Sequence, residues 1–572
     1  MILPLGLAAA AAILSQPLRD DPLAPLPQPQ ALQATQPLPK QPPVAPPPAT
    51  IPSDWRAVFA AIRSGDWAGA EAGIRFLPPG VLTPVATAGL FTAKGSPAVG
   101  LDRLNALLAQ APDLPAAGQL ARMAASRGAA QTPFVAAARP VVSLGSAPRR
   151  YRARPVSGEP LADALRAQLD PFVQANDAAG AEAAFLAQAP HLSADARAEG
   201  AQRVSWIYYT TGLDFDARRV ADYWRGGAGG EWGSQAAWVS GLASWRLRDC
   251  NAASRAFQEV ASTATQRELS AAGYYWAARS EQACRRPQSV QRLLKAAAAS
   301  PESFYGLIAR ETLGTDARLP RPAPVPTASV EALPNVRRAI ELAAIGETGL
   351  AEEFLRHEAK IGSPADHRAL LEIAKKLSLA GAQYWLATNG QRGAQVEAAS
   401  RYPTPNWLPV RGWRVDPALA FAHIIQESNF RSSAVSPVGA VGLMQVRPGS
   451  ASDEARAAGL PYSLSSLFDP AFNLEFGQSF IERMRRSANT GGQLPKVIAA
   501  YNAGPVPVGR WAAIPAHNDP ILWIESIPYW ETRFYVPAVL RNLWVYEGLQ
   551  RLEMPTLKAL VQHRWPAVPA AR

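Results

Sequence analysis

The residue best placed to do acid–base chemistry is Glu427. It closes the stretch Ala418-Leu-Ala-Phe-Ala-His-Ile-Ile-Gln-Glu-Ser-Asn-Phe430 and is the one acid between Asp416 and Asp453. The spacing predicts a helix. Leu419, His423 and Gln426 fall near one face, and Ala418, Phe421, Ala422 and Ile425 near another. Burying a carboxylate at the end of an apolar helix disfavours its charged form and raises its pKa, which suits a general acid working near neutrality. The plain alternative is a solvated Glu at a helix C-terminus, the commoner fate of this residue type. His423, four residues earlier, has two readings, one tuning the acid and one simply packing. Asp453 and Glu454 follow in a polar Ala-Ser-Asp-Glu run that reads as a solvated helix start.

Stepping outward from the acid, Ser436-Pro437 and Gly439 form a turn. Gly442-Leu-Met-Gln445 then returns a small residue, two apolar residues and an amide to a compact unit. Further on, the helix Lys496–Ala500 leads to Tyr501 and Asn502 before a Gly504-Pro505 break, a position that turns side chains outward at an edge. Trp511, Trp523, Trp530, Tyr529 and Tyr535 follow. Aromatic faces stack on the apolar faces of sugar rings, although each is also an ordinary core residue. Glycoside cleavage usually uses two carboxylates. Here the pattern supplies one, which suffices if the substrate brings its own nucleophile. Other chemistries lack their signatures: there is no phosphate-binding Gly-x-x-x-x-Gly-Lys loop, no Gly-x-Gly-x-x-Gly, no His-Glu-x-x-His, no nucleophile elbow and no Cys/His set with zinc spacing.

Four motifs in order resemble the soluble lytic murein transglycosylases. They are Glu427-Ser428, Ser436-x-x-Gly439-Ala440-x-Gly442-Leu443-Met444-Gln445, Ala500-Tyr501-Asn502-Ala503-Gly504-Pro505, and Ile527-Pro528-x-x-Glu531-Thr532-Arg533-x-Tyr535-Val536. The resemblance covers roughly residues 400–550. It implies an all-α protein: an irregular tetratricopeptide-like solenoid followed by a lysozyme-like C-terminal domain, with no cofactor and no metal. It implies that Glu427 protonates the glycosidic oxygen between MurNAc and GlcNAc, then takes the proton of the muramoyl 6-hydroxyl as that oxygen closes onto C1. The product is a 1,6-anhydro sugar. On the same grounds Ser436, Gln445 and Tyr501 contact substrate, and Ser428, Gly439, Gly442, Met444 and Asn502 are structural residues near the site. Glu531 either lines the groove or pairs with Arg533. Arg447 departs from the family, many of whose members carry an apolar residue there. The solenoid would partly surround a glycan strand and favour cutting from chain ends. The alternatives are a water-using muramidase of the same fold and a non-catalytic scaffold that binds cell-wall glycans.

The rest of the chain fits an exported helical protein. Its 572 residues carry a net charge of +11, suited to anionic surroundings without naming a partner. No basic block with interleaved aromatics points to nucleic acid. Residues 1–16 read as a secretory leader without the usual basic start, and 17–53 as a Pro-rich spacer. From Trp55 onward, helix pairs recur with a small or acidic residue at the turn, as in Ile62–Ala72, Trp245–Phe257 and Glu341–Phe354, and 54–320 reads as a helical solenoid. Residues 130–158 read as an irregular interruption, 321–398 as a helical linker region and 399–572 as the catalytic domain. Cys250 and Cys284 lie 34 residues apart, one repeat period: a disulfide if the protein is exported, two buried thiols if it is not. The expected setting is the periplasm. Glycan strands are the expected partner, together with other cell-wall enzymes, and membrane association is peripheral at most.

Overall fold

A computed structural model describes residues 51–131 and 133–571. The expected leader and residues 17–50 of the Pro-rich spacer lie outside them. Regular structure is helical but for two three-residue strands among the described residues.

The repeated turn has a local cause. Asp54, Asp66, Asp177 and Asp249 each stand just before a helix, and each carboxylate accepts a backbone N–H of the first turn. Such a cap is worth about 1 kcal/mol and fixes where the second helix of a pair begins. Small residues then let the pair close. A Cβ on Gly273 would sit 2.6 Å from the backbone nitrogen of Ala261, and one on Gly241 2.6 Å from the Phe257 ring. A disulfide joins Cys250, at the start of the helix Cys250–Thr263, to Cys284, just beyond Arg267–Ala283, with 5.5 Å between the Cα atoms.

Packing divides the chain differently from the expected boundaries at 320 and 398. One core combines helices from Trp55 to Ser126 with those from Pro334 to Thr388, so Leu104 and Leu120 share an interior with Leu342 and Leu370. A second core combines helices between Pro160 and Thr312 with the C-terminal region, so Trp276 and Phe304 share an interior with Leu419 and Trp544. The region expected to be a linker therefore completes the N-terminal unit. The helices between Pro160 and Thr312 share this interior with the C-terminal region; Phe304 stacks on Trp544 at 5.3 Å between ring centroids.

The expected irregular interruption is a strap that joins these units. Arg139 N–H donates to the Lys360 carbonyl at 2.9 Å. Val141–Ser143 then pairs antiparallel with Asn389–Gln391. Arg150 reaches Glu525 at 2.5 Å, with both side chains buried, and lies over the Trp238 ring. Finally Tyr151 exchanges backbone hydrogen bonds with the Gln266 amide, and the Arg154 carbonyl accepts from Trp232. With proline at 140, 148 and 155, the segment cannot form a long helix, so it stays extended and its backbone groups pair with whatever it crosses.

Candidate active site

The helix bearing the acid is Pro417–Glu427. Asp416 caps it, accepting from Ala418 N–H at 2.8 Å, and Pro417 takes the first position, where no N–H is needed. Every residue from Ala418 to Ile425 is buried, so the helix is sheathed on all sides and Glu427 marks where it meets solvent. The chain then reverses through two left-handed residues, Asn429 and Phe430, with φ of 52° and 63°. This drops the Phe430 ring back beside Phe421 and Trp407. Ser428 is buried, its N–H donating to the Ile424 carbonyl.

Beneath Glu427 crosses the long helix Trp530–Leu549. Asn542 ties the two helices together by donating to the Ala422 carbonyl at 3.1 Å. One turn in from its start, the Tyr535 hydroxyl donates to Oε1 of Glu427 at 2.5 Å, and His423 Nδ1 lies 2.8 Å from the same hydroxyl. Burial raises the Glu427 carboxyl to about 7. The Tyr535 hydrogen bond pulls the other way, and the neighbouring Glu531 charge adds to the rise. Burial pushes the His423 imidazole down to about 3. Burial, reinforced by the Glu427 charge, holds the Tyr501 and Tyr535 hydroxyls far above the ordinary range. The Glu427 carboxyl therefore gains and loses its proton near neutral pH, with its hydrogen-bonding neighbours held in their neutral forms.

A compact loop forms the adjoining wall. Val441 bridges to both Val435 and Val446. Gly442 makes this turn with φ of 80°; a Cβ there would come within 2.2 Å of Asn473 and 2.3 Å of the Leu467 carbonyl, so the position admits only glycine. Gly439, at φ of 78°, faces open space. The Ser436 hydroxyl accepts from Ala440 N–H at 2.9 Å. The Gln445 amide donates to the carbonyls of Gly442 and Ala434 at 2.8 and 3.2 Å. Met444 is buried, and its carbonyl accepts from the Tyr501 hydroxyl at 2.7 Å. Arg447 is exposed at the cap of the next helix, Pro448–Ala458. Asp453 and Glu454 lie on that helix and pair with Arg456 and Arg483.

Two expectations change. The helix expected to stop at Ala500 runs from Leu494 to Ala503, and the Tyr501 hydroxyl turns inward to Met444 rather than outward at an edge. Asn502, on the same last turn, accepts from Thr532 at 2.6 Å. The pairing of Glu531 with Arg533 does not form. Glu531 is exposed, whereas Arg533 is buried with its guanidinium 3.8 Å above the Trp206 ring of the solenoid and bonded to the Ile527 carbonyl. Positions two apart on a helix do not face each other, and burial against an aromatic face holds the cation away from Glu531. Desolvation pushes this guanidinium down to about 9.

Two contributors carried no sequence signal of their own. Tyr535 was legible only as one member of a motif. Asn473 is buried, donates to the Val441 and Leu467 carbonyls and accepts from Met444 N–H, so it organises the whole loop from a helix 30 residues away. Among the described residues, no cluster of three or more His, Cys, Asp or Glu is placed to hold a metal ion.

Comparison with known proteins agrees with this geometry. Residues 410–524 match the family described as the transglycosylase SLT domain. The soluble lytic murein transglycosylase of Escherichia coli K12 is 34% identical over 157 residues, which are 26% of this chain and 23% of that protein. The membrane-bound lytic murein transglycosylase C of Actinobacillus succinogenes is 37% identical over 103 residues, 16% of this chain and 28% of the relative. The matched stretch thus spans about a quarter of each curated relative. In fold, the chain is similar to an inactive mutant of the lytic transglycosylase Slt from Pseudomonas aeruginosa, with a TM-score of 0.52 and 20% identity over 90% of this chain and 88% of that one. Residues 410–524 thus match the transglycosylase SLT domain, and over this stretch the chain is similar to the soluble lytic murein transglycosylases.

Proposed function

We propose that the protein is a peptidoglycan lytic transglycosylase acting in the periplasm, with Glu427 as its single acid and base. The observation that carries this is the Glu427 carboxyl at the mouth of a sheathed helix, held by the Tyr535 hydroxyl at 2.5 Å and raised by burial to about 7. In this reading Glu427 gives its proton to the oxygen of the MurNAc–GlcNAc bond. The resulting carboxylate, stabilised by the Tyr535 hydroxyl, then removes the proton of the muramoyl 6-hydroxyl as that oxygen bonds to C1. One C–O bond breaks, one forms, and no water is consumed. Ser436, Gln445, Tyr501 and Glu531 serve the substrate groove. Three of these four already spend a polar group on the wall of the site, so they shape the groove at least as much as they touch sugar. The leader at 1–16 would direct export.

A hydrolytic reading rests on one observation. Glu531 is exposed and its charge acts on Glu427, as a second carboxylate that activates water would. Digestion of purified sacculi, with the released muropeptides weighed, separates the two. Products lighter by one water, lost with Glu427→Gln by a factor of about 10² or more, support the transglycosylase. Reducing-end products, abolished by Glu531→Gln as well, replace it with the hydrolase. Binding without any product reduces the domain to a glycan-binding scaffold.

A further inference from the structure

His423 is buried from all sides and stands behind the acid rather than in the groove. Its ring lies 4.5 Å from the Tyr501 ring and 5.8 Å from that of Tyr535, centroid to centroid. Nδ1 is 2.8 Å from the Tyr535 hydroxyl, while Nε2 is buried with no hydrogen-bond partner. The groups that face this cluster are Glu427 on the same helix, Tyr501 on Leu494–Ala503, and Tyr535 and Glu531 on Trp530–Leu549.

A hydroxyl has one proton to give. If His423 carried its proton on Nε2, a buried N–H would stand without an acceptor, a rarer and costlier state than an unfilled lone pair. Nδ1 would then draw the Tyr535 proton toward itself. The tyrosine oxygen would face Glu427 as an acceptor, and the acid's own proton would have to point at it, away from any substrate. With the proton on Nδ1, the direction runs the other way. His423 donates to Tyr535, Tyr535 donates to Oε1 of Glu427, and the acid proton is left on Oε2.

We propose that His423 is a positioning residue of this site. As the neutral Nδ1–H tautomer, it commits the Tyr535 proton to Oε1 of Glu427 and so reserves the other carboxyl oxygen for the transferable proton. This rests on Glu427 being the acid of the proposed reaction. Hydrogen bonds in series polarise one another, so the same arrangement makes Tyr535 a stronger donor to the carboxylate that forms once the proton has left. The burial that keeps the imidazole neutral makes the direction of the chain independent of pH across the working range.

The test reads the proton positions directly, so its outcome does not depend on turnover. The chain has six histidines, and nitrogen NMR of protein labelled in its histidine rings, with His423→Asn to assign the signal, identifies the tautomer. The expected signal is protonated Nδ1 and bare Nε2, unchanged between about pH 5 and 8. Carboxyl-carbon NMR then follows the titration of Glu427, assigned with Glu427→Gln. In His423→Leu, which keeps apolar bulk and removes the donor, the Glu427 titration moves up by about half a pH unit. In His423→Asn, whose amide donates from the place of Nδ1, it stays. The basic limb of the sacculus-digestion rate moves with it. A proton on Nε2 overturns the proposal, as does an unmoved Glu427 titration in a folded His423→Leu. If the wild type releases no muropeptide, the enzymatic reading falls alone, and the two titrations still decide what His423 does.

Discussion

Glu427→Gln is expected to make the protein more stable as it destroys activity, and the gain should depend on pH in a defined way. The folded protein holds the Glu427 proton up to about pH 7, whereas the ordinary value is 4.5. Below pH 4.5 both states are protonated and the residue contributes nothing that changes with pH. Between 4.5 and 7 the folded state binds the proton that the unfolded state has released, so stability falls as pH rises. At 1.36 kcal/mol for each pH unit the loss reaches about 3 kcal/mol and then stays level. Gln keeps the shape and the acceptor for Tyr535 but never ionises, so it avoids this loss. In urea titrations of the two proteins over a series of pH values, the curves should coincide near pH 4, diverge through 6 and run about 3 kcal/mol apart at pH 8, with Glu427→Gln the more stable. Taking the difference between the proteins cancels every other group that titrates. Curves that coincide at pH 8, or a wild type that is the more stable there, refute the claim that burial holds this carboxyl protonated.

Further outcomes follow from other parts of the fold. Reducing Cys250–Cys284 opens a 34-residue loop and should cost about 3 kcal/mol; hydrogen exchange should rise first in the helices Cys250–Thr263 and Arg267–Ala283. Gly442→Ala forces a left-handed Cβ into Asn473 and should cost about 3 kcal/mol, with activity lost at temperatures where the solenoid remains folded by circular dichroism. Arg150→Ala removes the cation from the buried Glu525 carboxylate and leaves it Tyr305 as donor among the described residues, and should destabilise by about 3 kcal/mol or more. Adding Glu525→Gln should recover most of that loss, and thermal unfolding of the single and double variants reads it.

The burial of Glu427 was legible in part because its signal is local. A carboxylate ending a largely apolar helix fits a buried acid or a solvated one, and the four motifs in order, rather than the helix alone, favoured the first; Gly439 announces a turn before any partner is known. What packs against those elements is another matter. Periodicity shows that a helix has an apolar stripe; it does not name the helix that covers it. For that reason the residues from 334 to 388 read as a linker, although they complete a core begun at Trp55. Arg533 illustrates the same gap at the scale of one side chain. Glu531, two positions away, is a plausible ion partner on paper, but the Trp206 ring that it stacks on lies more than 300 residues earlier in the chain. Tyr535 and Asn473 act through buried contacts between distant elements, and single-residue type carries no trace of such contacts.

The core shared by the first and later helices also sets an order of assembly. Helices from Trp55 to Ser126 present apolar faces that remain uncovered until residues 334–388 exist to meet them. During synthesis or threading from the N-terminus, they wait through some two hundred residues with their stripes exposed. The same geometry has the opposite effect on the finished molecule. A protease that cuts the strap between Gly128 and Gly158 severs the covalent link to the first helices without releasing them, because a packed interior and the paired strands at 141–143 and 389–391 still hold the fragments. A nick in the chain is therefore not a break in the particle.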